Sequence, residues 1–570
     1  MTGHDEDIKK RLRNPTSLQS LQAMLMAKHS PAKPRLRLCA TGCRAAGALQ
    51  VRDALASEIT KQKLTGKVSI VETGCHGCCA KAPVLAVDPS DVFYTGVKPE
   101  DAAEIVDKTV LKGRTISRLL YRDEGTGRRY ERQEDIPFFN KQTRIVTKNL
   151  GHIDPKSIGH YISVDGYSVA AEVLTAMTPE DVLEDIEAAQ LRGRGGAGFP
   201  TFLKWRLAAA ARGKPKYILC NGDEGNPGTF MDRALMEGDP HAVIEGMVIA
   251  GYAIGAREGY IYVRAEYPIA VEHLSLAIAE ARSLGLLGIN ILGSPFDFDI
   301  YIRKGAGAFV CGEETALIAS TEGKRGTPRT RPPFPVEKGL WGKPTSINNA
   351  ETLASVPAIL GFGAEKYARL GTKKNRGTKV FSLAGRARNT GLIEVPLGVS
   401  VRTLVNDIGG GVAGTGKMKA VQMGGPAGGC LPPKLFNLPV DYESLSEAGA
   451  PMGSGGVIVM DEKTCMVDMA RYFMEFSANE SCGKCVPCRV GTTRMLELLT
   501  KICRGRGTEA DLSLLLETAV VLKDASFCGL GQAAANPFLS TVEHFRNEYD
   551  AHIKKKVCPA GVCDMKKADD

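Results

Sequence analysis

No uninterrupted apolar run in this 570-residue chain approaches the ~18 residues of a membrane span. The best stretch, residues 242–256, is broken by Glu245 and several glycines, so direct membrane insertion is not expected. A secretory h-region is missing as well, because the opening Met-Thr-Gly-His-Asp-Glu-Asp-Ile-Lys-Lys is charged from the start. The 16 cysteines are therefore expected to be cytoplasmic and metal-bound, not disulfide-linked. The formal charge of +9 is modest for the length, and its Lys and Arg are scattered without an aromatic-interleaved patch, which gives nucleic-acid binding little support. Internal repeats and low-complexity tracts are absent too. With 43% hydrophobic residues, the composition suits a multidomain globular protein of about three or four domains.

What the chain does have is cysteine at ligand spacing. Ser481-Cys-Gly-Lys-Cys-Val-Pro-Cys488 sets Cys482, Cys485 and Cys488 at i, i+3 and i+6 ahead of an amphipathic helix, with Cys528 following 40 residues later. Three close soft ligands and a remote fourth wrap one face of a cubane and anchor its opposite corner. A [4Fe-4S] centre is thus favoured over structural zinc, which more often uses two separated knuckles. Cys39-Ala-Thr-Gly-Cys43 and Cys75-His-Gly-Cys78-Cys79 supply two C-x3-C pairs, enough for the two irons of a [2Fe-2S] centre. Cys78 leaves a C-x2-C pairing open, and zinc or a redox dithiol are the alternatives.

Period-2 and period-3.6 patterns place strands at 35–39, 67–71 and 83–87, and a helix at 51–59. Helical and β-like runs then alternate through about residue 375, short strands and turns dominate to about 460, and helices recur at 468–476, 492–502 and 511–525. The glycine-rich Leu191–Pro200 segment contains G-x-G-x-x-G, but it follows a helical run at 181–190 where a dinucleotide-binding turn needs a strand. Its glycines still allow close backbone approach to a ring or phosphate, with Arg192, Arg194 and Lys204 adding positive charge. Cys220–Gly228 and Gly305–Thr315 combine flexible backbone with acids and amides suited to ring nitrogens and ribityl or ribose hydroxyls. Read blandly, all three segments are solvated surface loops.

Together with 260–268, 331–352 and 480–491, these segments follow one another as in the flavin-bearing, NADH-oxidising subunit of respiratory complex I. The chain resembles that subunit and its soluble relatives: the β subunits of bifurcating hydrogenases, NAD-dependent formate dehydrogenases and similar complexes. The resemblance covers about residues 145–563, and the first 115 residues resemble the fused thioredoxin-like [2Fe-2S] domain of the soluble enzymes. It implies a multidomain α/β fold: lead-in 1–33, thioredoxin-like domain 34–115, linker 116–144, FMN- and NAD(H)-binding α/β sandwich 145–375, ubiquitin-like β-grasp domain 376–460, helical [4Fe-4S] bundle 461–556, and a cysteine-containing tail 557–570.

By that resemblance FMN would contact Gly193, Gly195, Lys204, Asn221, Asp223, Glu224, Gly312, Glu313, Asn348, Asn349 and Thr352, while Phe199 and Glu314 would face NAD(H) or NADP(H). The second [2Fe-2S] pair would be Cys75 and Cys79, beside Cys39 and Cys43, leaving Cys78 over. Cys465, His552, Cys558 and Cys563 could form a Cys3His zinc site, with His544 competing for the histidine position and an unligated frayed tail as the alternative. Cys220, Cys311, Cys430 and Cys503 read as buried small residues. Near the nucleotide ribose, Asn226 stands where the family usually carries an acid, which favours tolerance of NADP(H); Arg206 would add attraction and Phe202 would narrow the pocket.

The expected function is an NAD(P)H-oxidising iron–sulfur flavoprotein, one subunit of a soluble complex with other iron–sulfur or catalytic subunits, with electron bifurcation and ferredoxin as further candidates. A membrane respiratory subunit and a non-catalytic cluster scaffold are the competing readings.

Overall fold

The computed structural model describes residues 10–28 and 33–565, so part of the expected lead-in and the last five residues lie outside it. Helix Pro15–Lys28 buries Leu18 and Leu25 in the large core shared with the flavin-type domain, and Leu12 N–H donates to Leu284 O at 2.8 Å.

Strands β1 (Arg35–Cys39), β2 (Ser69–Thr73), β3 (Val84–Asp88) and β4 (Val92–Thr95) form a sheet in the order β2-β1-β3-β4, with β1 and β2 parallel and the other pairs antiparallel. Val84–Asp88 is a short apolar run preceded by Pro83 and is buried along its whole length, as a central strand covered on both faces must be. This is the thioredoxin-like arrangement. Cys39 ends β1, and Cys75 lies two residues beyond β2.

Residues 116–144 are not a free linker. A hairpin of β5 (Tyr121–Arg122) and β6 (Arg129–Tyr130) turns on Asp123, whose carboxylate accepts from Thr126 N–H at 2.7 Å. Tyr121, Ile136, Phe138 and Phe139 are buried in the main core, while the charges that suggested a linker line the hairpin's outer side.

The central domain is a parallel sheet, β10 (Thr345–Asn349), β7 (Tyr217–Gly222), β8 (Glu258–Arg264) and β9 (Asp299–Gly305), in that order. Helix Pro240–Ile254 is apolar all round and buried against this sheet. Its one acid, Glu245, accepts from the Tyr161 hydroxyl and from the Tyr167 and Ala170 N–H groups. A five-stranded mixed sheet follows: β12 (Gly391–Pro396), β11 (Thr378–Gly385), β15 (Gly456–Asp461), β13 (Met418–Met423), β14 (Gly429–Leu431), with only β11 and β15 parallel. Lys379 on β11 and Glu351 of the central domain form a buried ion pair that fastens the two units.

The C-terminal bundle comprises Met466–Asn479, Val486–Cys503 and Glu509–Ala525, each longer than its periodic signal, and Asn536–Asp550, a helix that the apolar periodicity does not mark. Among the described residues no helix is long and apolar enough to cross a membrane.

Candidate functional site

Cys482, Cys485, Cys488 and Cys528 converge on one cavity, closed by Val310, Pro328, Lys484, Phe527 and Leu530. Pro487 lies in the first turn of helix Val486–Cys503, next to Cys488, and Cys528 immediately precedes the short helix Gly529–Ala533. Lys484 sits over the Phe527 ring at 4.6 Å. Burial pushes the Cys488 thiol up to about 11 and raises that of Cys528. Four convergent sulfurs fit a cubane's donor set.

In the N-terminal domain the two pairs also meet. Cys75 Sγ lies 3.8 Å from Cys79 Sγ and accepts from Gly77 N–H, while hydrogen bonds from Cys43 and then Cys75 hold the Cys39 thiol well below its usual range. Cys78 stands apart: it has no thiol partner among these four, and burial pushes it up to about 12.

Between the central domain, the mixed sheet and the bundle lies a cavity of about 460 Å³. Gly195, Asn221, Asp223, Glu224, Asn226, Gly312, Glu313 and Asn349 line it. Strand β7 carries Asn221 near its end and runs into the 223–226 loop, Glu313 caps helix Glu314–Thr321 by accepting from Thr315 and Ala316 N–H, and Asn349 caps helix Ala350–Phe362. The Asp223 carboxylate is buried with neither oxygen hydrogen-bonded, and burial pushes it up to about 7. Glu224, by contrast, accepts from Met231, Asp232 and Arg233 N–H. A Cβ on Gly195 would come within 3.0 Å of Asn349 Cβ, and one on Gly225 within 2.6 Å of an Arg264 nitrogen, so these glycines hold the walls open. Orphaned acceptors facing a glycine-walled cavity fit a flat, hydroxyl-bearing cofactor such as FMN.

The other expected contacts do not line the cavity. Asn348 is buried and accepts from the Trp205 indole N–H at 3.0 Å, Thr352 Oγ1 accepts from Arg194 N–H, and Gly193 O accepts from the Tyr442 hydroxyl. They brace the loop that presents Gly195. Lys204 donates to Glu314 at 2.7 Å and to Ile347 O at 2.9 Å, and lies 6.0 Å from the exposed Phe199 ring. One expectation changes: Arg206 is tied to Glu180 and Glu187 of the preceding helix Pro179–Ala188, so its charge is already paired. Phe202 packs against the core and, like Phe199, lies outside the cavity lining. Sequence reasoning missed Asp232, Phe309, Gly453, Ser454 and Asn536, all cavity residues; most reach it from distant segments without a local motif.

At the tail, one ligand atom from each of Cys465, His552, Cys558 and Cys563 lies within 4.8 Å of the others. His552 Nε2 is 3.5 Å from Cys465 Sγ and 3.4 Å from Cys563 Sγ, and its Nδ1 faces Glu548 O at 2.7 Å, fixing the ring. His544 lies apart, with Nε2 unpartnered. Cys220, Cys311, Cys430 and Cys503 are all buried.

Three family profiles match in succession: the thioredoxin-like [2Fe-2S] ferredoxin over residues 25–110, the Nuo51 FMN-binding domain over 186–358, and the NADH-ubiquinone oxidoreductase-F iron-sulfur binding region over 468–552. The NADP-reducing hydrogenase subunit HndC of Solidesulfovibrio fructosivorans is 55% identical over 423 residues, 74% of this chain and 86% of its own. The chain belongs to this family. An NADH-quinone oxidoreductase subunit of Rhizobium meliloti (strain 1021) is 44% identical over 73% of this chain and 99% of its own. The NAD+-reducing [NiFe]-hydrogenase in its H2-reduced state matches 95% of this chain and 90% of its own at 29% identity and a TM-score of 0.64. This member is accordingly an FMN- and iron–sulfur-dependent, NAD(P)H-linked oxidoreductase subunit with hetero-oligomeric electron-transfer partners.

Proposed function

We propose that this chain takes electrons from, or returns them to, a nicotinamide nucleotide at the 460 Å³ cavity and exchanges them with a partner of a soluble complex through the Cys482/Cys485/Cys488/Cys528 centre. The observation that carries this is the shared wall. Val310 and Leu530 line both the flavin-type cavity and the cubane cavity, so two apolar side chains separate them. Phe309 strengthens the join: its N–H donates to Glu480 at 2.7 Å and its ring packs edge-on against Phe476 of the bundle.

When bound, FMN supplies hydride exchange with the nicotinamide and single-electron exchange with the clusters. The protein binds and orients. Asp223 offers both carboxylate oxygens to hydroxyl or ring N–H donors, and Gly195 and Gly312 admit the cofactor's edge. Phe199, with the Lys204–Glu314 pair beneath it, provides an apolar face and a fixed charge pair for the nucleotide. No side chain is needed as acid or nucleophile.

Asn226 is the position that sets nucleotide choice in this reading. Its amide donates to Ser454 at 3.1 Å while its Oδ1 is buried and unpartnered. A neutral amide there keeps hydrogen-bonding capacity without repelling a 2′-phosphate, in line with HndC, described as NADP-reducing. The higher identity to that hydrogenase subunit than to the quinone oxidoreductase subunits favours a soluble assembly, with electron bifurcation and ferredoxin as candidate refinements. Cys465, His552, Cys558 and Cys563 would hold zinc, pinning the tail to the bundle. Anaerobic addition of NADH or NADPH should bleach the visible flavin band; a band unchanged by either nucleotide would leave only the scaffold reading.

A further inference from the structure

A second cavity, of about 450 Å³, shares no lining residue with the flavin-type or the cubane cavity. Its walls come from residues 144–149, helices Ser168–Ala176 and Ala350–Phe362, and the start of helix Pro240–Ile254. Asp239, the residue before that last helix, lines it and is only 1% exposed. Its Oδ2 accepts from the Asn149 amide at 2.8 Å, while Oδ1 is buried without a partner, and burial pushes the carboxyl up to about 7. Glu245, the other buried acid of the lining, already accepts from the Tyr161 hydroxyl and from the Tyr167 and Ala170 N–H groups. Asp239 is thus the acceptor that still lacks a donor.

Two cations, Arg144 and Lys148, line the same cavity four residues apart on one segment. Arg144 donates through Nε to Thr147 Oγ1 and through Nη2 to Thr147 O and Leu150 O, which leaves Nη1 without a hydrogen bond among the described residues. Lys148 is exposed and forms no ion pair among the described residues. The exposed acid of the lining, Asp165, accepts from the Gln22 amide at 2.5 Å. Val169, Pro357 and Phe362 add apolar surface. We propose that this cavity binds a small phosphate monoester bearing a hydroxyl group, with Arg144 and Lys148 holding the phosphate and the hydroxyl donating to Asp239. Two cations match a dianion, the unpaired acceptor calls for a neutral donor, and the apolar wall suits a carbon body. Inorganic phosphate offers no carbon body, and a free sugar offers no charge.

None of these residues lines the electron-transfer cavities, so the proposal stands apart from the function given above. The test is isothermal titration calorimetry of the FMN-loaded holoprotein with NAD+ in excess, which keeps the flavin and nicotinamide sites filled. Ribose 5-phosphate is the probe, with inorganic phosphate and ribose as controls. The probe should bind once per chain and at least about tenfold more tightly than either control. Lys148→Gln should weaken it about tenfold or more, the loss of one charge-assisted hydrogen bond. Asp239→Asn should narrow the probe's advantage over inorganic phosphate. Because Asp239 is buried and its variant is at risk of misfolding, Lys148→Gln at an exposed position keeps the test decisive. Ribose 5-phosphate binding no better than inorganic phosphate would overturn the proposal. So would an affinity unchanged in Lys148→Gln, which would put the ligand elsewhere on the protein.

Discussion

Asp223→Asn tests how the cavity holds its cofactor. Both Asp223 oxygens lack donors from the protein, and burial lifts the group from 3.8 to about 7. A displacement of that size corresponds to up to about 4 kcal/mol unfavourable to the ionised form at ~1.36 kcal/mol per pH unit. The sign follows. Between about pH 4 and 7 the folded protein holds a proton that the unfolded chain has lost, so this group makes the flavin-free protein less stable as pH rises through that window. Hydroxyl and N–H donors of FMN reverse the penalty by stabilising the carboxylate, so binding should release a proton near neutrality and FMN affinity should be higher at pH 8 than at pH 6. A charge-assisted hydrogen bond contributes about 1.5–3 kcal/mol, so replacing the carboxylate with an amide should weaken FMN binding roughly 10- to 150-fold. It should also flatten the pH dependence. Quenching of FMN fluorescence on titration with deflavinated protein at both pH values gives the constants. Equal affinity in the variant, or an undiminished pH slope, would refute the role assigned to the orphaned carboxylate.

Anaerobic iron analysis should approach about six Fe per chain for one [4Fe-4S] and one [2Fe-2S] centre. Cys78→Ala should retain iron better than Cys75→Ala or Cys79→Ala, and equal loss in all three would put Cys78 among the ligands. Removal of residues 557–570 should abolish bound zinc and lower the thermal midpoint of the bundle, because closed zinc sites contribute folding energy; undiminished zinc would rule out the Cys465/His552/Cys558/Cys563 site. Asn226→Asp should shift the NADH/NADPH ratio of kcat/KM toward NADH by roughly tenfold or more, as repulsion between two charges a few Å apart at an effective dielectric near ~20 allows. An unchanged ratio would show that another residue governs the choice.

The sequence announced most clearly those features whose chemistry is local in the chain. Cys482, Cys485 and Cys488 meet in one cavity because their spacing is fixed by one turn and one helix start, and the 221–226 segment carries its acids and amides within a few residues. The apolar periodicity of the bundle and the short runs of β1 and β3 likewise read directly as elements. What stayed hidden depends on pairing between distant segments. Ser454 and Asn536 reach the cavity from the mixed sheet and the bundle, and neither has a neighbouring pattern to mark it. The Gly74–Gly238 contact joins two glycines that look like ordinary turn residues. Charge misled at 116–144, where exposed Arg and Glu residues concealed Tyr121, buried in the hairpin, and Phe138 and Phe139, buried in the short helix Pro137–Asn140 that follows it. It misled again at Arg206, whose partners Glu180 and Glu187 lie on the preceding helix.

The claim that most needs testing is that the flavin-type cavity and the cubane cavity, divided by Val310 and Leu530, form one electron path. The measurement is rapid-freeze EPR of the anaerobic holoprotein after mixing with NAD(P)H, with flavin absorbance followed in parallel, on the parent and on Cys482→Ser. In the parent, flavin bleaching should be accompanied by a reduced [4Fe-4S] signal, whereas Cys482→Ser should bleach at a similar rate and show no such signal. A parent whose flavin is fully reduced while the cubane stays oxidised under excess nucleotide would contradict the path.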